Sequence, residues 1–189
     1  IVEQGWRLRP LRRWSDLSKG RCFHKRCQKQ SIRIRYLGKD KGEAMEKVVV
    51  IGGAGFLGSH IADELSDQGY DVVIFDTSQS RWIRSDQKMV VGDIFDTEKL
   101  EDILEDAQYC YHFAGIADIA ESRRAPLETL RINVMGASAV LEAAHKKGVK
   151  RFVYASTMYV YSPFGSFYRA SKQASEIIVE SYQQEFGLD

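Results

Sequence analysis

Gly52-Gly-Ala-Gly55-Phe-Leu-Gly58 follows a run of β-branched residues, Lys47-Val-Val-Val-Ile51. A glycine-rich turn between a strand and a helix lets backbone N–H groups approach a pyrophosphate at the helix N-terminus. In that scheme Gly52 makes the tight turn, Gly55 allows close approach, and Gly58 lets the helix pack on the sheet. Asp76 ends the next apolar run, 18 residues beyond Gly58. A carboxylate there accepts the ribose hydroxyls of an adenosine and repels a 2′-phosphate. Thr77 and Ser78 follow it with no adjacent Arg, so NAD is expected over NADP.

A second pair, Tyr168 and Lys172, is spaced to share one helix face. A phenol with an ordinary pKa of about 10 is a poor base at neutral pH. A neighbouring ammonium and a positively charged nicotinamide favour its ionised form. Tyr168 could then take a hydroxyl proton while hydride leaves the same carbon. Ser156 and Thr157 lie just after Arg151-Phe-Val-Tyr-Ala155, where a hydroxyl can hold the same substrate oxygen. Either of them could also cap a turn, the less favoured of the two roles.

These residues need elements to carry them. Lys47–Ile51 and Asp71–Phe75 read as strands, with a helix over Phe56–Gln68 whose apolar positions are Leu57, Ile61 and Leu65. A short strand at Met89–Val91 precedes Gly92-Asp93-Ile94, and Asp96 or Thr97 can cap a helix over Glu98–Leu104. Tyr109–Phe113 is the fourth strand, and Leu127–Lys147 reads as one long helix ended by Gly148. Arg151–Ala155 is the fifth strand, before a helix from about Tyr168 to Glu185. Such alternation predicts an α/β fold, a doubly wound parallel sheet.

The net charge of +1 hides an asymmetry: residues 1–44 hold 13 of the 27 Lys and Arg but 4 of the 26 Asp and Glu. A boundary near Met45 follows. Trp6, Trp14 and Phe23 show no sustained period in that first segment. It reads as a nucleic-acid or anion-binding arm, as an Arg-rich targeting segment, or as no part of the natural protein. The last is favoured, because Met45 stands two residues before the first strand. Cys22, His24 and Cys27 lack the second Cys/His pair that a zinc site draws on. Three cysteines make no disulfide framework, and a cytoplasmic protein without a signal peptide is expected. No apolar run approaches the roughly 20 residues that span a bilayer. Among the histidines, His112 is more simply a packed strand-end residue than a base, and His60 a surface or packing residue. Cys110 reads as a small buried hydrophobe. Arg123 and Arg124 before Pro126 could meet a phosphate, though a solvated helix start explains them equally.

Taken in order, GGAGFLG, Asp76, Gly92-Asp93-Ile94, His112-Phe-Ala114-Gly115, Ile132-Asn133-Val-Met-Gly136, Ser156-Thr157 and Tyr168-Arg-Ala-Ser-Lys172 resemble the NAD-dependent epimerase/dehydratase family. These are the extended short-chain dehydrogenases/reductases, with a Rossmann-like fold, and the likeness covers Glu46–Asp189. The resemblance implies cofactor contacts at Gly52, Gly55, Phe56, Leu57, Gly58, Asp76, Asp93, Ile94, Ala114, Gly115 and Asn133, with Tyr168 and Lys172 also reaching the cofactor. It implies catalytic roles for Tyr168, Lys172, Thr157 and Ser156. Asp93 and Ile94 would lie at the adenine, and Asn133 is open to a structural role. No metal is implied.

Three departures qualify the likeness. Thr157 is followed by Met158 and Tyr159, not by the Asp–Glu pair that dehydratases use to eliminate water. The link Ser162-Pro-Phe-Gly-Ser-Phe167 is shorter than in most relatives. The chain stops at Asp189 where relatives enter another strand and a substrate lobe, so it reads as an N-terminal fragment. As such it is expected to bind NAD weakly and turn over nothing by itself. The implied activity is sugar-nucleotide epimerisation by transient oxidation. A net oxidoreductase of the same family and a non-catalytic nucleotide-binding module are the alternatives. A nucleotide sugar is the expected partner and a polynucleotide is not; a homodimer of the full-length form stays open.

Overall fold

The computed structural model describes residues 45–189. The basic segment 1–44, with Cys22, His24 and Cys27, lies outside the described residues. Five parallel strands are β1 (Lys47–Ile51), β2 (Asp71–Asp76), β3 (Lys88–Val91), β4 (Ala107–His112) and β5 (Arg151–Tyr154). Their order is β3-β2-β1-β4-β5. From β1 the chain adds strands on one side, then returns to add β4 and β5 on the other. A crevice opens beyond the carboxyl ends of β1 and β4, where the direction of addition reverses.

The strand sequences state why both faces are covered. A parallel strand buried on both sides reads as an unbroken apolar run, and Val48 to Ile51 are fully buried. Val48, Val50, Val72 and Ile74 pack against Ala62 and Leu65 of α1 (Phe56–Asp67). Val49, Ile51, Val73 and Phe75 face the opposite way, with Leu100 and Leu104 of α2 (Thr97–Leu104) and Val140 and Leu141. Asp96 caps α2, its carboxylate accepting the Lys99 N–H at 3.1 Å.

Two expectations change. Leu57 is half exposed, and the sheet-facing stripe of α1 is Gly58, Ser59, Ala62 and Leu65. The helix sits so close to the sheet at Gly58 that small residues define its inner face. The long helix expected over Leu127–Lys147 is interrupted. After α3 (Ile119–Arg124) comes α4 (Pro126–Leu130), then a π-helical turn at Arg131–Met135, then α5 (Gly136–Lys146). The Gly136 N–H bonds to the Arg131 carbonyl, five residues back. Hydrogen bonds from Asn133 to distant residues hold that wide turn. Arg123 and Arg124 end α3 instead of starting a helix. The last helix, α6 (Ser166–Phe186), begins at Gly165, whose φ is +110°.

Candidate active site

A cleft of about 330 Å³ fills the crevice, within the range of small-molecule sites. Gly52, Gly55, Asp76, Asp93, Ile94, Ala114 and Gly115 all line it, together with Thr77, Phe95, Ile116 and Arg131. Seven of the residues expected at the cofactor thus meet in one place. Gly52 has φ +81°, and a Cβ there would lie 2.4 Å from the Ala114 nitrogen. At Gly58 a Cβ would lie 2.3 Å from the Gly52 carbonyl oxygen, so α1 could not dock. Gly55 is different: a Cβ would meet only the Gly52 oxygen, at 3.4 Å. The fold does not require glycine there, and the space is left to the cleft.

The Asp76 carboxylate accepts the Ala54 N–H at 3.0 Å, tying the end of β2 to the glycine turn. Phe56 is exposed and Leu57 half exposed, and neither side chain lines the cleft, which leaves their backbone N–H groups as what they offer a ligand there. Those groups, at the first turn of α1, have no helical partner. A glycine turn, unpaired amides and a strand-end carboxylate fit a dinucleotide.

Asn133, Gly58, Tyr168 and Lys172 do not line this cleft. Asn133, expected at the cofactor, is buried behind it. Its Oδ1 accepts the Ile116 N–H at 2.7 Å, and its Nδ2 donates to the Ile116 carbonyl and to Ser171 Oγ, each at 2.9 Å. Ser175 Oγ donates to the Asn133 carbonyl at 3.0 Å. Asn133 therefore ties the cleft wall at Ile116 to the helix that carries Tyr168.

Tyr168 and Lys172 are buried one turn apart on α6. Lys172 Nζ donates to the Ala155 carbonyl at 2.9 Å, just beyond β5, and sits 4.6 Å from the Tyr154 ring centre. Burial pushes the Lys172 ammonium down to about 8, against the opposing pull of the Glu176 charge. Tyr154 stacks on His112, with ring centres 5.8 Å apart. Burial and then the Lys172 charge push His112 down to about 3, so it binds a proton only weakly and is a poor base near pH 7. Its Nδ1 is buried without a partner. Cys110 is fully buried, its thiol pushed up by desolvation.

Thr157 Oγ1 accepts the Tyr159 N–H at 3.3 Å and caps the short 3-10 turn Met158–Tyr161. Its proton remains to be donated. Ser156 instead donates its hydroxyl hydrogen bond to Glu176 Oε1. The short link is fastened as well: Gln173 Nε2 donates to the Val160 carbonyl at 2.7 Å, and the Tyr159 ring meets Tyr168 edge-on. Met158 is exposed.

Sequence reasoning passed over Glu176 and Arg131. Glu176 repeats the four-residue spacing of Tyr168 and Lys172, a signal that was available. Arg131 lies 4.4 Å over the Phe95 ring at the Asp93 end of the cleft; only the fold brings it there. Among the described residues, no group of three or more His, Cys, Asp and Glu could hold a metal ion.

Residues 48–189 match the model of the NAD dependent epimerase/dehydratase family. UDP-glucose 4-epimerase of Rhizobium leguminosarum bv. trifolii is 34% identical over 126 residues, 62% of this chain and 37% of that protein. Among solved structures, UDP-glucose 4-epimerase from Brucella ovis in complex with NAD superposes with a TM-score of 0.70 at 30% identity, covering 76% of this chain and 49% of that one. The Thermotoga maritima enzyme with UDP-glucose gives a TM-score of 0.70 at 30% identity, over 75% of this chain and 52% of that one. The chain spans about half the length of those solved relatives.

Proposed function

The chain belongs to the NAD-dependent epimerase/dehydratase family, and from that premise we propose that it is the nucleotide-binding part of a sugar-nucleotide epimerase of the UDP-glucose 4-epimerase kind. The observation that carries this is the pair Tyr168 and Lys172, buried one turn apart on α6, with Lys172 bonded to the carbonyl just past β5. A module that only bound nucleotide would need the glycine turn but not that pair.

The glycine turn receives the pyrophosphate on the N–H groups of the first turn of α1. Asp76 would accept the adenosine ribose hydroxyls, and Asp93 and Ile94 would hold the adenine. When bound, NAD supplies an acceptor for a sugar hydride and returns it to either face of the carbon. Thr157 donates a hydrogen bond to the reacting sugar oxygen and keeps its own proton. Tyr168, as phenolate, takes the proton of that hydroxyl and later gives it back, which is general base and then general acid catalysis. The Lys172 ammonium stabilises the phenolate by Coulomb attraction. Met158 and Tyr159 offer no carboxylate, so elimination of water lacks its acid and base.

The test is product analysis with the protein of the full reading frame, given UDP-glucose and NAD. Interconversion of the sugar epimers without accumulation of reduced cofactor supports the reading. Steady release of reduced cofactor would instead make it a net oxidoreductase.

A further inference from the structure

Tyr168, Lys172 and Glu176 stand at successive four-residue steps on α6, which places them along one face. Glu176 is partly buried and accepts a hydrogen bond from the Ser156 hydroxyl, beside Thr157 in the turn after β5. Lys172 is almost wholly enclosed. The titratable groups around it are His112 from β4, Tyr154 from β5, and Tyr168 and Glu176 from its own helix. His112 is neutral and Tyr154 is pushed up to about 12 by burial, so neither supplies charge near pH 7. The Glu176 carboxylate is the counter-charge that opposes desolvation of the ammonium. A neutral amine at Lys172 could not stabilise a phenolate.

We propose that Glu176 is a positioning residue of this centre: one turn beyond Lys172 on α6 it is the counter-charge to that ammonium, and it pins the Ser156–Thr157 turn to the helix that carries Tyr168. The proposal rests on the catalytic reading of Tyr168 and Lys172. Its two parts separate chemically. Glu176→Gln keeps an oxygen that can accept from Ser156 but removes the charge. Ser156→Ala removes the brace but keeps the charge.

The Lys172 titration is read by 13C NMR on this chain labelled at the lysine Cε, with the signal assigned through Lys172→Arg. The expected midpoint is about 8 in the unsubstituted chain. Glu176→Gln should lower it by roughly one pH unit, Glu176→Asp should restore most of that, and Ser156→Ala should leave it in place. An unmoved midpoint in a folded Glu176→Gln variant overturns the proposal. In the protein of the full reading frame, Glu176→Gln should move the alkaline limb of kcat/KM to lower pH by the same amount. A purely structural role would lower the rate without moving the limb. A moved NMR midpoint with a fixed limb would leave the counter-charge in place and sink the catalytic role of Lys172 on which the proposal depends.

Discussion

A phenol becomes a useful base only where a charge held close to it outlasts the loss of water, and in the proposed reading that charge is Lys172, held by the Ala155 carbonyl and the Tyr154 ring. Tyr168→Phe keeps the packing and removes the only transferable proton. In the full-reading-frame protein we expect turnover to fall about 10²–10⁴-fold while NAD binding, followed by calorimetry, persists. Near-normal turnover would place the base elsewhere, and His112 is a poor substitute because burial leaves its imidazole with little affinity for a proton. That burial has its own consequence. With its folded value lowered to about 3 from 6.5, His112 binds a proton more readily in the unfolded chain. Its contribution to stability is whole above pH 6.5 and is lost as pH falls toward 3. At about 1.4 kcal/mol per unit, the loss is of order 3 kcal/mol by pH 4. Denaturant melts from pH 7 to 4 should show a shallower decline in a folded His112→Gln variant than in the parent. At Asp76, cofactor choice is the readout: NAD should bind more tightly than NADP, and Asp76→Asn should narrow the gap. Equal affinities in the parent would refute the assignment. Motif residues were legible because chemistry restricts their type. The partners that hold them were not, because Asn133–Ser171 and Ser156–Glu176 are bonds between residues 38 and 20 apart.

Among the elements, the strands and the first helix could be read from β-branched runs and glycine stops, and their bounds shift by a residue or two. The break at Arg131–Met135 could not. Hydrophobic period continues through it, and the extra residue in the turn is fixed by the contacts of Asn133 with Ile116, Ser171 and Ser175. π-turns often mark functional sites, and this one joins the cleft wall to α6. Asn133→Ala would leave the half-buried Ile116 amide without its acceptor and the buried Ser171 hydroxyl without one of its two partners, and we expect a loss of roughly 1–3 kcal/mol in chemical denaturation. A change below half a kilocalorie would show that the turn stands without it. Leu57 was misplaced for a related reason: periodicity gives a helix its stripe, but the close docking at Gly58 rotates that stripe toward small residues.

For the whole molecule, the sheet order sets where a ligand can go. Two apolar faces are covered by helices, and the cleft lies where the strand order reverses, lined by the ends of β1 and β2, the segments that follow the first four strands, and Arg131 and Ile132 of the π-turn. That placement followed from the alternation of strands and helices in the sequence. What the basic segment 1–44 does lies outside the described residues. The central claim is that the cleft and the Tyr168–Lys172 pair serve one reaction in which the cofactor ends as it began. The most direct measurement gives the protein of the full reading frame UDP-glucose deuterated at the epimerised carbon, with NAD, and follows both sugar epimers and reduced cofactor over many turnovers. The account predicts that the epimers equilibrate, that deuterium stays on the same carbon, and that reduced cofactor does not build up. Deuterium lost to solvent, or reduced cofactor rising with product, would contradict it.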